Sequence, residues 1–140
     1  MEKTWILIAD AHRARFLERH APDHSLTELA DFVFPHTDDV RQTHGRTGHA
    51  GTQLEPHTQT QAKERSSFAQ QLADYLNAGV AEQRCKSFVL IASSPMLGEL
   101  RPHLSSAAAK SLRRCVASDL TRYQGAELKE RVNHALELPD

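Results

Sequence analysis

Thr4-Trp5-Ile6-Leu7-Ile8-Ala9-Asp10 decides the fold class. Six uncharged, mostly apolar residues end at an aspartate, too short for a buried helix and rich in the aliphatic residues of a strand covered on both faces. Ser87-Phe88-Val89-Leu90-Ile91-Ala92 repeats the pattern 83 residues later. Two such interior strands with helical segments between them indicate an α/β domain, and the rest of the chain can be placed around them. Ala14 to Glu18 reads as a second strand with Ala14 and Phe16 on one face. Leu26 to Phe34 reads as a third, bounded by the Pro22-Asp23-His24 turn and by Pro35. Three strands in succession suggest a meander.

Beyond the meander, residues 36–60 show little periodicity and many Gly, Thr, His and Gln residues. Connections of this length inside a compact domain are usually functional or disordered, and this one is the candidate working part. Gln61 to Ala78 then places Phe68, Leu72, Tyr75 and Leu76 at helical spacing, with Gly79 as the expected stop. After the second interior strand, Ser93-Ser94-Pro95 supplies caps and an early-helix proline for a helix from Met96 to Leu104. Ser105 to Ser118 reads as a further helix, since Leu104, Ala108, Leu112 and Val116 recur every fourth residue. Asp119 to Thr121 reads as a short returning strand, and Gly125 to about Leu136 as a last helix.

Composition narrows the function. A chain of 140 residues with 39% hydrophobic residues suits one domain with one core. Lys plus Arg number 17 against 18 Asp plus Glu, so polyanion binding must be local rather than global. Cys85 and Cys115 form no CxxC pair, and Cys115 is expected as a buried helical thiol; no disulfide is expected. Met1 is followed by Glu2 and Lys3 and then by a strand, unlike a secretory leader, so a cytoplasmic location is expected. No apolar stretch approaches the roughly 20 residues needed to span a bilayer, so no integral membrane association is expected.

The chemistry-bearing run is His44-Gly45-Arg46-Thr47-Gly48-His49, inside the 36–60 connection. It resembles the His-Gly-Arg-Gly-Gly-Gln run at the tip of the middle domain of the archaeal and eukaryotic class-1 peptide-chain release factors. Thr4 to Glu18, Val89 to Ala92 with Leu97 to Arg101, and Val116 to Thr121 resemble blocks of the bacterial host attachment proteins, a family similar to that middle domain. The resemblance implies a mixed central sheet flanked by helices, with a ribonuclease-H-like or ribosomal-protein-like topology. It does not imply ribonuclease chemistry, because the required acidic cluster is not evident.

In the release factors the Gly-Gly-Gln tip helps water attack the ester joining peptide to transfer RNA. Here Thr47 replaces a glycine, and a β-branched residue is disfavoured at positive φ by roughly 1 kcal/mol or more. His49 stands where glutamine is expected, with a ring of shorter reach and a charge that changes near pH ~6.5. A shifted register would instead put Gly51-Thr52-Gln53 at the tip. The resemblance therefore implies a non-hydrolytic, translation-associated binding protein that contacts ribosome or transfer RNA, including under stress. Its binding residues would be His44, Gly45, Arg46, Thr47, Gly48 and His49, with Lys110, Arg113 and Arg114 as a basic helix face near Arg101 and Arg122. An alternative is a protein-interaction factor in cell-surface attachment, as the family name suggests. A third is a hydrolase using His49 or a loop metal.

Bland readings compete at each candidate. His44, His49 and His57, with His36, could ligate zinc, but the spacing matches neither paired structural ligands nor two histidines four apart on a helix. A solvated polar loop accounts for them, and no cofactor is expected. Asp10 and His12 at a strand end read as a turn rather than an acid-base pair. Ser93 and Ser94 read as helix caps rather than nucleophiles, because the glycine-flanked elbow is missing. The basic residues fit a solvated helix face as readily as a phosphate-binding patch.

Overall fold

The computed structural model describes residues 3–34 and 57–137. Three strands open the chain, β1 (Lys3–Ala9), β2 (Arg13–His20) and β3 (Ser25–Val33), paired as an antiparallel meander. Helix α1 (His57–Ala81) leads to β4 (Ser87–Ala92), which lies parallel to β1 with Leu7 opposite Leu90. Helix α2 (Ser94–Leu100), a 3-10 turn at Arg101–His103 and helix α3 (Ser106–Ser111) return the chain to β5 (Leu112–Ala117), parallel to β4. Helix α4 (Gly125–Glu137) follows. The five-stranded mixed sheet has the order β3-β2-β1-β4-β5.

The interior strands are where their composition put them. Ile6, Leu7, Ile8, Leu90 and Ile91 are fully buried, because helices cover both faces of the sheet. Strand alternation divides their side chains between two cores. Trp5, Leu7, Phe16, Phe88 and Leu90 pack with Phe68, Leu72 and Leu76 of α1 and with Met96 and Leu100 of α2. Ile6, Ile8, Leu17, Val89 and Ile91 pack with Leu128, Val132 and Ala135 of α4. Tyr75 joins α1 to the meander, its ring 4.3 Å from that of Phe16 and 5.7 Å from that of Phe32.

Three local expectations give way to the tertiary structure. Helix α1 runs through Gly79 to Ala81, and the Gly79 carbonyl accepts from the backbone N–H of Arg84 and Cys85. The expected helix from Ser105 to Ser118 stops at Ser111, and Leu112–Ala117 is a strand. Its four-residue apolar spacing mimics a helix. Pairing with β4 instead satisfies its backbone, and Val116 and Cys115 pack against opposite faces of the sheet. Asp119 to Thr121 is an irregular turn rather than a strand, because the Thr121 N–H and hydroxyl both turn back onto Asp119 Oδ1, at 3.1 and 2.7 Å. Leu120 meanwhile drops into the α4-side core.

Candidate functional site

Because β1, β4 and β5 are parallel, their C-terminal ends share one edge of the sheet, where open α/β folds usually build binding crevices. Asp10 and the Ser118-Asp119 turn lie there, and so does Phe34, whose N–H donates to the His12 carbonyl at 2.8 Å. The ring of Phe34 stacks on Phe68 of α1 at 5.3 Å, fixing the point where the chain leaves the meander for residues 35–56. A small cavity of about 170 Å³ opens beside it, lined by Ala11, His12, Phe34, Glu64 and Arg65. Arg65 Nε stands 3.8 Å from Glu99 Oε2, an ion pair too long to count as a hydrogen bond.

Asp10 is consumed by structure. Its Oδ1 accepts the backbone N–H of His12 and of Arg13, each at 2.8 Å, which closes the β1–β2 turn. Its Oδ2 lies 3.1 Å from the Thr121 hydroxyl, which also reaches Asp119. Thr121 therefore ties the end of β1 to the turn after β5. The turn reading of Asp10 holds. Ser93 occupies the N-cap position of α2 with extended backbone, but its hydroxyl makes no cap bond; the capping expected there is found at Ser105, whose Oγ accepts from Ala108 N at 3.1 Å.

The His44–His49 run, His36 and the alternative Gly51-Thr52-Gln53 lie outside the described residues. His57 begins α1, but its side chain is likewise outside the description. Among the described residues no group of three or more His, Cys, Asp or Glu is arranged to hold a metal ion. Among them, too, no helix is long and apolar enough to cross a membrane.

The expected basic helix face is dispersed. Lys110 is exposed in the last turn of α3, whereas Arg113 and Arg114 belong to β5. The register of β4 and β5 slips between Phe88 and Val89, so that Leu112 pairs with Phe88, Arg114 with Val89, and Arg113 is the extra residue of a bulge. Arg114 consequently points to the α4 side, where its Nη1 donates to the carbonyls of Ala135 and Leu136 at 3.0 and 3.1 Å, capping the helix C-terminus. Two arginines that the sequence reading did not single out hold the same helix and the turn that leads into it. Arg15 Nη1 donates to the Tyr123 carbonyl at 2.7 Å, and Arg19 Nη2 to Asn133 Oδ1 at 2.8 Å. The available signal was the alternation of Arg15, Leu17 and Arg19, which share one strand face.

Both thiols are free. Cys85 is buried, and burial pushes its pKa from 9.0 up to about 11. Cys115 is half-buried on β5, not buried on a helix as expected, and burial raises its thiol pKa as well.

A sequence model of the family described as "Protein required for attachment to host cells" matches residues 5–132. No curated protein matches. Among solved structures, the crystal structure of the archaeal translation termination factor aRF1 is similar over 97% of this chain, with a TM-score of 0.53 and 17% identity. The match takes up 35% of that factor's chain, so the present chain spans about a third of its length. At this identity the likeness establishes a shared fold.

Proposed function

We propose, from the premise that this chain belongs to the family of proteins required for attachment to host cells, that it is a non-hydrolytic binding protein of the translation apparatus, contacting ribosome or transfer RNA. The observation that carries this reading is positional. The His44–His49 run falls in the connection between β3 and α1 of a domain that shares its fold with a translation termination factor. Arg46 is the residue of that run suited to a bidentate phosphate contact. Thr47 and His49 are the reasons for expecting binding without peptide release. A second reading, a protein-interaction factor in attachment, is favoured by the description of the family itself.

Cosedimentation with ribosomes over a salt series tests the proposal. Binding should weaken as salt rises, since phosphate contacts release counterions. Arg46→Glu should impair it more than Arg84→Glu, which reverses a charge at the far end of the sheet beside Glu82. In a peptidyl-transfer-RNA release assay the wild type should be inactive. Absence of cosedimentation at low salt, with and without transfer RNA, would leave the attachment reading as the better account. Release activity that His49→Ala abolishes in a folded protein would overturn the binding-only function.

A further inference from the structure

At the opposite end of the sheet, beneath the C-terminal end of α4, a cavity of about 280 Å³ is lined by Thr4, Arg19, Val89, Arg113, Arg114 and Leu136. Its walls follow from the register. Thr4 pairs with Arg19 across β1 and β2, and Val89 with Arg114 across β4 and β5, so these side chains share the α4 face of the sheet. The β5 bulge adds Arg113 to the same rim. Three guanidinium groups thus line one small cavity. From these residues we infer that the cavity is a binding site for a phosphate group, held by the forks of Arg19 and Arg113 with Arg114 and the Thr4 hydroxyl around it.

Helix capping explains only part of the cluster. Arg114 serves the helix carbonyls, and one Nη of Arg19 serves Asn133. Arg19 Nε, however, is buried with no hydrogen-bond partner among the described residues, a costly state for a charged donor. Arg113 is exposed, and among the described residues it has no hydrogen bond or ion pair. Burial and the like charge of Arg113 both depress the pKa of Arg19, while Glu137 opposes them. Arg113 thus sets a like charge beside Arg19, opposed among the described residues by Glu137, and a bound dianion would relieve that repulsion. Guanidinium forks match the oxygens of a phosphate pairwise, which a point-like ammonium does not. The volume is that of several water molecules, at roughly 30 Å³ each in the liquid, so it fits a phosphate group with a small substituent. The same chemistry is offered by a free phosphate, a phosphomonoester or one phosphodiester of a nucleic acid. The site lies at the other end of the sheet from the anchor of residues 35–56 and does not depend on the ribosome reading.

The test uses the full chain, with inorganic phosphate titrated against chloride at constant ionic strength and followed by calorimetry and thermal shift. Phosphate should bind and raise the melting temperature. Arg113→Gln, at an exposed position that leaves both cores intact, should weaken binding by about tenfold. Arg19→Lys, which keeps the charge but loses the fork, should also weaken it, Glu137→Gln should tighten it, and Arg84→Gln should leave it unchanged. Competition by a short single-stranded RNA would identify the source as a phosphodiester, and competition by a phosphorylated small molecule alone would identify a monoester. No saturable phosphate binding to the folded wild type, or binding indifferent to both Arg113→Gln and Arg19→Lys, would overturn the site.

Discussion

Replacing Gly79 by alanine sets two effects of known sign against each other. Gly79 lies inside α1, where alanine is preferred to glycine by about 1 kcal/mol. A Cβ at this position, however, would stand 2.6 Å from Cζ3 and 2.7 Å from Cη2 of Trp5. Carbon atoms pack comfortably at about 3.5–4.0 Å, so the indole or the helix must retreat by roughly 1 Å. Neither is free to do so. Trp5 is 2% exposed on an interior strand, and its ring lies 5.7 Å from that of Tyr75, with the Arg84 guanidinium 5.6 Å from its centre. Overpacking of this kind costs about 1–3 kcal/mol, and the rigidity of the indole places the cost toward the upper part of that range. The expected net loss is about 1–2 kcal/mol, or a fall in melting temperature of roughly 3–8 °C for a domain of this size.

Gly98, in α2, provides the matched control, since a Cβ there meets nothing within 4 Å. Gly98→Ala should therefore stabilise by about 0.5–1 kcal/mol, the same chemical change with the opposite sign. Urea denaturation followed by circular dichroism and by the fluorescence of the single tryptophan measures both. In a Trp5→Leu background the penalty at Gly79 should disappear, which a double-mutant cycle would register as coupling. If Gly79→Ala stabilised the protein as much as Gly98→Ala with unchanged Trp5 emission, the packing of β1 against α1 would be wrong.

Two further outcomes follow from burial. Leu7→Asp or Leu90→Asp places an unpaired carboxylate between paired interior strands where both side chains are fully buried, and each should abolish cooperative unfolding; an unchanged melting curve for both would refute the sheet order. Cys85 has a folded-state pKa raised from 9.0 to about 11, so its contribution to stability is intact below pH 9 and is lost as pH rises from there through about 11, because the unfolded chain releases the proton first. Urea midpoints measured between pH 8 and 11 should fall for the wild type, and less steeply for Cys85→Ala.

The parts of this fold that were legible in the sequence are those where burial is uniform. Trp5 to Ala9 and Ser87 to Ala92 are apolar enough to be interior strands in almost any context, and Phe68, Leu72 and Leu76 hold helical spacing over a long span. The stretch from Ser105 to Ser118 failed for a definite reason. Three alanines followed by Leu112 and Val116 fit a helix locally, and only the free edge of β4, which is not a local property, converts the second half to a strand. The same error dispersed the basic face, since Arg113 and Arg114 changed from neighbours on a helix to a bulge residue and a helix cap. Arg19, remote in sequence, lines the same cavity as both. The His44–His49 run could be recognised because it is a contiguous motif, whereas the arginine cavity draws on β2, β5 and the end of α4 and has no linear signature.

The two ends of the sheet spend their polar groups differently, and this bears on where chemistry can reside. At the C-terminal edge, Asp10 and Asp119 are engaged by backbone N–H groups and by Thr121, an arrangement that locks the turns around the exit to residues 35–56. At the opposite edge, Arg19 Nε and Arg113 are guanidinium donors without a hydrogen-bond partner among the described residues, and such groups bind anions. On the proposed reading the two described ends hold shape and bind an anion, and His49 in the 35–56 connection is the residue to test for reactivity. That division makes His49→Ala informative: if the protein proves hydrolytic, the loss should leave stability and phosphate binding untouched, and a joint loss of all three would mean that the two ends are energetically coupled.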